Sequence, residues 1–323
     1  MQPVLSVVIP CFNYARYLGD CLTSIFTQVD PPPFEVIAIN DGSTDSTAEV
    51  LERFTDPRLR VVHNERNLGH VGTINRALPL TRGAIVARID PDDRYHPRFM
   101  VTVCDRLQRH PDVGLVYGRA AIIGDDGRAT GEITDGPHAA DFTGSDFVRL
   151  LEKNFICAPT VAARRQAWLE ALPVPDGLAF HDWYFTVLIA RRYPFHFVDA
   201  VLADYRVHGA NHHSRITKDG SEERSVLQLL DRVYGELETD ASLEAAKQKA
   251  RRRVYACHYL DFANKYFWLG RNEDARRCYF AALRRSPAHF LDVGVARRFA
   301  ATMTSRRLYE GIKSVWKTGA TAE

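Results

Sequence analysis

The chain reads Arg88-Ile89-Asp90-Pro91-Asp92-Asp93 directly after the apolar run Ala84-Ile85-Val86-Ala87. Such a run is typical of a buried strand in a parallel sheet, and open α/β sheets bind their ligands beyond the carboxyl ends of these strands. Three crowded carboxylates repel one another unless a cation offsets their charge. Their oxygens suit Mg²⁺ or Mn²⁺, which in turn suit a diphosphate. An alternative stays open, in which Asp92 or Asp93 caps a helix that begins near Pro97.

Strand and helix patterns alternate through the N-terminal part of the chain. Strands are predicted over residues 4–9, 34–39, 59–63 and 84–89, and helices over 14–26, 44–54 and 70–80. Ser43 or Thr44 is the predicted N-cap of the second helix. Repeating βα units of this length indicate a parallel sheet covered by helices, which is a nucleotide-binding architecture. The loops at Asp41 and at 90–93 would then lie at the same edge of the sheet.

The pattern changes after Asp112. The turn sequence Asp125-Asp126-Gly127-Arg128 predicts a β-hairpin. A helix is predicted over 180–191, and strands over 195–198 and 201–207. From about Ser221 the chain is predicted to be helical throughout. We therefore divide it into an α/β domain over 1–215 and a helical C-terminal extension over 216–323.

Composition limits the class of protein. With 323 residues the chain can bury a large core. No stretch has the apolar length needed to span a bilayer, and Met1-Gln2-Pro3 leads into a strand without a signal-peptide pattern, so we expect a cytoplasmic protein. The six cysteines are widely scattered and include no Cys-x-x-Cys pair, which indicates small core residues in a reducing compartment.

The charge is distributed unevenly along the chain. From Ala241 to the end there are 17 Lys and Arg against 7 Asp and Glu, a balance of +10, whereas the preceding part has a balance of −8. A basic tail suggests an anionic partner, such as the inner face of a membrane, to which the protein would be peripherally bound, or a lipid diphosphate. Alternatively, the basic residues only solvate helices. No recognised module accompanies them, so no nucleic-acid partner is expected.

Two patterns are found within the tail. One set of residues has spacings that resemble a single tetratricopeptide repeat: Tyr259, Ala263, Tyr266, Gly270, Ala275, Tyr279, Ala282 and Pro287. Because one such unit cannot form a solenoid, we predict a helical hairpin. The last predicted helix, about Val293 to Trp316, mixes apolar and basic residues, which fits binding to a membrane interface but also fits a docked core helix.

Five segments carry a family resemblance, in this order: Val7-Val8-Ile9-Pro10-Cys11-Phe12-Asn13, Asn40-Asp41-Gly42-Ser43-Thr44-Asp45, Asn67-Leu68-Gly69 followed by Asn75, Asp90-Pro91-Asp92, and His181-Asp182-Trp183. With them the first 210 residues resemble the family-2 glycosyltransferases, inverting enzymes of the hexosyltransferase type that use a nucleotide-diphosphate sugar. The resemblance implies a GT-A fold, which is Rossmann-like, with a mixed central sheet and helices on both faces.

The resemblance also implies which residues bind the donor. These are Pro10, Asn13, Asp41, Asn67, Gly69, Arg88, Asp90 and Arg206. Asp41 would accept a hydrogen bond from the base, such as the N3–H of uracil, although an Asp before Gly42 also forms ordinary turns. Arg206 would neutralise phosphate.

A metal and a base complete the implied site. Negative charge develops on the β-phosphate oxygen as the nucleoside diphosphate leaves, and a divalent cation, Mn²⁺ or Mg²⁺, offsets it. Asp92 is the expected ligand, with His208 of the segment Tyr205-Arg206-Val207-His208 completing the metal site. Asp182 is the expected base for the acceptor hydroxyl, although a first-turn helix residue of this type is also common. His181 departs from the commoner acidic residue at its position.

The expected activity is therefore transfer from a nucleotide sugar, with a UDP-sugar as the expected donor, to a glycan or lipid-linked acceptor in cell-surface polysaccharide or glycoconjugate biosynthesis. No Gln-x-x-Arg-Trp sequence of the processive synthases is present, which favours addition of one sugar per encounter. A sugar nucleotidyltransferase would need a Gly-rich, basic loop after the first strand, and Pro10-Cys11-Phe12-Asn13 is not one. An adaptor protein with a degenerate transferase domain is the non-enzymatic alternative.

Overall fold

The structure is a computed structural model that describes residues 2–209 and 220–303. The chain divides into two compact units. The first is Met1–Phe147 with Asn154–Asn211, and the second is Val148–Lys153 with His212–Glu323. The predicted boundary at 215–216 lies outside the described residues and stays a prediction.

The strands of the described residues belong to one sheet. They are β1 Leu5–Cys11, β2 Phe34–Asn40, β3 Leu59–His63, β4 Ile85–Arg88, β5 Arg94–Tyr95, β6 Leu115–Ile123, β7 Ala129–Ile133, β8 Phe142–Gly144, β9 Ala162–Arg164 and β10 Phe195–Arg206. Their order is β3-β2-β1-β4-β9-β6-β10-β5, with β7 on β6 and β8 on β10.

The helices alternate with these strands and then continue alone. They are α1 Ala15–Phe26, α2 Thr47–Arg53, α3 Gly69–Ala77, α4 Phe99–Arg109, α5 Phe147–Glu152, α6 Arg165–Glu170, α7 His181–Ala190, α8 Ser221–Gly235, α9 Ala241–Trp268, α10 Asn272–Arg285 and α11 Val293–Ala301. None of the helices in the described part of the chain has the length and apolar character to cross a bilayer.

The sheet is mixed, as the fold prediction required. β1 pairs in parallel with β2 and β4, β2 with β3, and β6 with β10. β9 is antiparallel to β4 and β6, and β5 is antiparallel to β10. The parallel pairing that the βα repeats indicate is present among β1 to β4, and beyond β4 short strands join the sheet in antiparallel pairs.

Apolar residues build the core on both sides of this sheet. β1 and β2 are buried along their whole length, as expected of continuous apolar runs. On one face, the apolar stripes of α1 and α4 pack against them. On the other side, Trp168 of α6 is buried and its indole Nε1–H donates to the Val86 carbonyl over 2.9 Å.

Two predicted elements differ from the observed ones. α2 begins at Thr47 and its N-cap is Ser46, so the prediction of Ser43 or Thr44 as N-cap is wrong. The physical reason is that the side chain of Asn13 holds this loop, accepting from the Thr44 N–H over 2.8 Å. The two strands predicted over 195–198 and 201–207 form one strand, β10, with shifts of register between Val198 and Ala203.

The second unit is helical, as predicted from about Ser221. α9 and α10 are antiparallel neighbours joined by a turn in which Gly270 has φ +76°. Five residues of the repeat-like pattern are buried in this hairpin: Ala263, Tyr266, Ala275, Tyr279 and Ala282. The likeness to a tetratricopeptide repeat stays a prediction. The predicted last helix is present as α11 over Val293–Ala301, and its continuation to residue 316 lies outside the described residues.

Two glycines form a matched pair for a test of packing. A Cβ on Gly83 would stand 2.7 Å from the backbone nitrogen of Ser6, whereas a Cβ on Gly19 of α1 meets nothing within 4 Å. We expect Gly83→Ala to lower the free energy of unfolding by about 1–3 kcal/mol, because the strand backbone has to shift. Gly19→Ala should raise it by about 0.5–1 kcal/mol through helix propensity. Urea unfolding measures both changes, and an unaffected Gly83→Ala variant would contradict the packing.

Candidate active site

Three loops meet at one edge of the sheet. Because β1 pairs in parallel with both β2 and β4, the residues that follow these strands lie side by side. The loops after β1, β2 and β4 begin at Phe12, Asp41 and Ile89. The prediction that the loops at Asp41 and at 90–93 share a sheet edge is confirmed.

The loop after β1 is tied to the loop after β2 by Asn13. Its φ is +59°, in the left-handed region that Asn tolerates better than most residues. Its N–H donates to the hydroxyl of Ser43 over 3.1 Å, and its amide oxygen accepts from the Thr44 N–H. Pro10 lies inside the buried strand β1. The structure thus places both residues beside the loop at Asp41, with the Asn13 side chain shaping that loop.

Asp41 connects the loop after β2 to the segment before α3. One oxygen of its buried carboxyl accepts from the amide of Asn64 over 2.6 Å and from the Leu68 N–H over 2.8 Å. Asn67 then accepts from the Gly69 N–H over 2.7 Å, at the point where α3 begins. Four residues that the resemblance assigns to the donor, Asn13, Asp41, Asn67 and Gly69, are therefore linked through contacting loops.

The acidic loop after β4 carries crowded carboxyl groups. Asp92 and Asp93 are buried, whereas Asp90 is partly exposed. Burial raises the pKa of Asp92, and the charge of Asp90 adds to the rise. Burial also raises the pKa of Asp93 well above its ordinary value, with Asp92 and Asp90 contributing. The loop is therefore short of positive charge, as the sequence indicated.

Asp92 and His208 form the pair predicted to hold a metal. The His208 Nε2 and one oxygen of Asp92 are 3.0 Å apart, and both side chains are buried. Within the described ranges no group of three or more His, Cys, Asp or Glu side chains is arranged to hold a metal. Two protein ligands nevertheless fit Mg²⁺ or Mn²⁺ in a phosphate site, because such ions take their remaining ligands from the diphosphate and water.

Arg206 holds the acidic loop in place through hydrogen bonds. Its side chain is 1% exposed, its Nε–H donates to the Asp92 carbonyl over 2.7 Å, and Nη1–H donates to the carbonyls of Gly124 and Asp125. Its backbone N–H donates to the carboxyl of Asp93 over 2.9 Å. These contacts make Arg206 a positioning residue, and its predicted contact with phosphate stays a prediction.

Arg88 lies between the acidic loop and two other elements. Its buried guanidinium donates through Nη1 to Asp90 over 3.0 Å, and Nη1 is 2.7 Å from the Nε2 atoms of both His70 and His181. The two imidazole rings have centroids 4.2 Å apart. Arg88 therefore joins the start of α3, the acidic loop and the start of α7.

Asp182 lies in the first turn of α7. It lines a small cavity with Arg88, and the other lining residues are Ile156, Ala158, Val161, Trp168 and Thr186. Burial raises the pKa of Asp182, and the charge of Arg88 opposes the rise. A carboxylate in such a place is a stronger base than an exposed one and can take a proton from a hydroxyl group.

The comparison with protein families decides the identity. The sequence model described as glycosyl transferase family 2 matches residues 6–172, slightly more than half of the chain. The chain belongs to glycosyl transferase family 2. It is a glycosyltransferase, and the mixed sheet with helices on both faces is its GT-A fold.

Individual relatives agree with the family. An uncharacterized glycosyltransferase of Nostoc is 27% identical over 236 residues, which are 69% of this chain and 71% of the relative. The putative teichuronic acid biosynthesis glycosyltransferase TuaG of Bacillus subtilis is 35% identical over 96 residues, 29% of this chain and 38% of the relative. The match thus spans less than half of TuaG.

Solved structures share the fold at low sequence identity. S. aureus TarS 1-349 in complex with UDP-GlcNAc has a TM-score of 0.66 and 18% identity, covering 95% of this chain and 92% of that one. The mannosyltransferase PcManGT of Pyrobaculum calidifontis, in complex with GDP-Man and Mn²⁺, has a TM-score of 0.61 and 16% identity, covering 98% and 88%.

Sequence reasoning missed His70 at this family-2 site. The only available signal was its place directly after the Asn67-Leu68-Gly69 motif. It also missed the role of Gly124 and Asp125, whose carbonyls accept from Arg206. Their hairpin was predicted and is confirmed by the antiparallel pairing of β6 with β7, but nothing in the sequence connected it to the acidic loop.

Arg206 offers a test of how the acidic loop is supported. Arg206→Lys replaces the two nitrogens that reach backbone carbonyls, Nε at residue 92 and Nη1 at residues 124 and 125, with a single ammonium nitrogen. Because buried carbonyls lose their donors, we expect the free energy of unfolding to fall by about 1–3 kcal/mol. Arg128→Lys is the control, since the Arg128 side chain is 89% exposed. Equal stabilities of the two variants in urea would contradict the positioning role.

Proposed function

We propose that the protein is a metal-dependent, inverting glycosyltransferase that moves a sugar from a UDP-sugar to a hydroxyl of a glycan or lipid-linked acceptor, one sugar per encounter. One observation carries the proposal. Arg88 donates a hydrogen bond to Asp90 of the acidic loop, and it lines a small cavity together with Asp182. The carboxylate that is suited to act as the base therefore lies beside the loop that is suited to bind the diphosphate.

The donor would bind across the linked loops after β1, β2 and β4. Asp41 would receive the base, Asp90 the ribose or, through water, the metal, and Asn67 and Gly69 would form the rim beside them. The support is the set of contacts that join these loops. Structural neighbours are in complex with UDP-GlcNAc in one case and GDP-Man in another, which supports nucleotide sugars as the donor class.

The cation would be Mn²⁺ or Mg²⁺, held by Asp92 and His208. When bound, it offsets the charge that develops on the departing β-phosphate oxygen. Arg206 keeps the Asp92 backbone in place through its bond to the Asp92 carbonyl, so the carboxyl faces its partner in a fixed position. The PcManGT complex with Mn²⁺ supports this choice of ion.

Asp182 would act as the general base. In an inverting transfer, the acceptor hydroxyl attacks the anomeric carbon on the face opposite the leaving diphosphate and gives its proton to a carboxylate. Burial raises the pKa of Asp182, and the guanidinium charge of Arg88 opposes that rise and so favours the carboxylate form. Cell-surface polysaccharide or glycoconjugate biosynthesis is the proposed pathway class, supported by the teichuronic acid role named for TuaG.

Two variants separate the donor half of the site from the base. Asp92→Ala should weaken the binding of UDP by at least about tenfold in the presence of Mn²⁺, because a metal ligand is lost. Asp182→Asn should leave that affinity unchanged and lower transfer by about 100-fold or more. Titration calorimetry with UDP and Mn²⁺ measures the first effect, and release of UDP from a panel of nucleotide sugars measures the second.

Asp126→Ala is the control, since Asp126 lies in the exposed β6–β7 turn. It should leave binding and turnover unchanged. Wild-type turnover in Asp182→Asn would place the base elsewhere. Manganese-independent binding of UDP by the wild-type protein would remove the metal from the proposal.

The pH dependence of turnover tests the environment of Asp182. The base works only when deprotonated, so activity falls as the pH drops through its pKa, which burial raises. Arg88→Met removes the charge that opposes this rise, and the acid limb of kcat/KM at saturating Mn²⁺ should move to higher pH. Arg60→Met, on exposed β3, should leave the limb in place. An unmoved limb in Arg88→Met would contradict the assignment.

A further inference from the structure

The second unit exposes large apolar side chains on α10 and in the turn after it. Along α10 the buried residues are Ala275, Cys278, Tyr279, Ala282 and Leu283, whereas Glu273, Arg277, Phe280 and Arg284 are exposed. The exposed set recurs at three- and four-residue spacing, so it lies on one side of the helix, away from α9. Leu291 ends the segment Pro287–Leu291 that follows α10, and it is 84% exposed.

α11 returns along α10 and presents a similar surface. Arg276 donates to the Thr302 carbonyl over 2.7 Å, and the rings of Tyr279 and Phe299 are 6.0 Å apart. The residues of and after α11 that face solvent are Val293, Arg297, Ala300 and Met303. We name Phe280, Arg284, Leu291, Val293, Arg297 and Met303 the apolar–basic face.

The net positive charge of the C-terminal region indicates an anionic partner. Residues 241–323 have the +10 balance given above, and beyond Met303 the sequence adds further basic and apolar residues: Arg306, Arg307, Leu308, Ile312, Lys313, Val315, Trp316 and Lys317. Between residues 284 and 303 the exposed charged side chains are Arg284, Arg297 and one acid, Asp292. Exposed apolar side chains interspersed with arginines are the pattern by which proteins bind the interface of an anionic bilayer.

We propose that the apolar–basic face binds the surface of an anionic phospholipid bilayer. Its apolar side chains enter the headgroup region, and its arginines pair with lipid phosphates. Membrane binding would place the enzyme beside a lipid-linked acceptor, and that acceptor is the one part of the proposed function on which this inference rests. Membrane binding is measured without donor or turnover, so its failure is distinguishable from a failure of the proposed chemistry.

Two leucines provide a matched test. Leu291 belongs to the face, whereas Leu237 lies between α8 and α9 and is 82% exposed. The full chain is floated with vesicles made of equal parts phosphatidylglycerol and phosphatidylcholine. Leu291→Asp should lower the fraction bound by about tenfold, because an apolar contact is lost and a negative charge is added near anionic lipid. Leu237→Asp makes the same chemical change elsewhere and should leave binding unchanged.

Salt and lipid composition supply the second measurement. Wild-type binding should fall as ionic strength rises, since screening weakens attraction between arginines and lipid phosphates, and should be lost on pure phosphatidylcholine. Circular dichroism checks that both variants fold.

Three results would overturn the proposal. One is a wild-type chain that does not float with the anionic vesicles. Another is an equal loss of binding in both leucine variants. The third is a concentration-dependent dimer that Leu291→Asp dissociates, which would show that a second copy of the chain covers the face.

Discussion

Repulsion within the acidic loop is the constraint on which the site depends. Three carboxyl groups follow one strand within four residues, and burial denies two of them the solvation that would relieve the charge. Two buried arginines contact this loop. Arg88 donates to Asp90, and Arg206 donates to the Asp92 carbonyl and, through its backbone, to Asp93. The loop is thereby fixed in shape, with its carboxyl oxygens in a place suited to a divalent cation.

The first four strands were predictable because each is a local signal. β1 to β4 are apolar runs that end at Pro, Gly, Asn or Asp, and the predicted bounds agree with the observed ones within two residues. β5 and β9 have two and three residues, too few to show a period, so they exist only through pairing with distant strands. Helix α2 was predicted to begin early, because nothing local shows that Asn13 holds Thr44.

Some residues of the site could also be predicted from the sequence, whereas others could not. Acidic and turn-forming residues could be found from the motifs, because each motif is contiguous. The cluster around Arg88 could not, since its Nη1 reaches His70 across 18 residues and His181 across 93. From the sequence alone, His181 is only a departure from the commoner acidic residue at its position. Its Nε2 lies 2.7 Å from Nη1 of Arg88, the same nitrogen that donates to Asp90.

Several residues that the resemblance assigns to the ligand use their hydrogen bonds on the protein. Asn13 accepts from Thr44, Asp41 accepts from Leu68, and Arg206 donates to backbone carbonyls. Such motif residues therefore specify the shape of the loops as well as any contact they make with substrate. A substitution at Asn13 would then act first by moving the loop that Asp41 begins. Because each of these loops is held by hydrogen bonds to another loop, the shape of the site depends on several motifs together. A single motif therefore indicates the site much less clearly than the ordered set does.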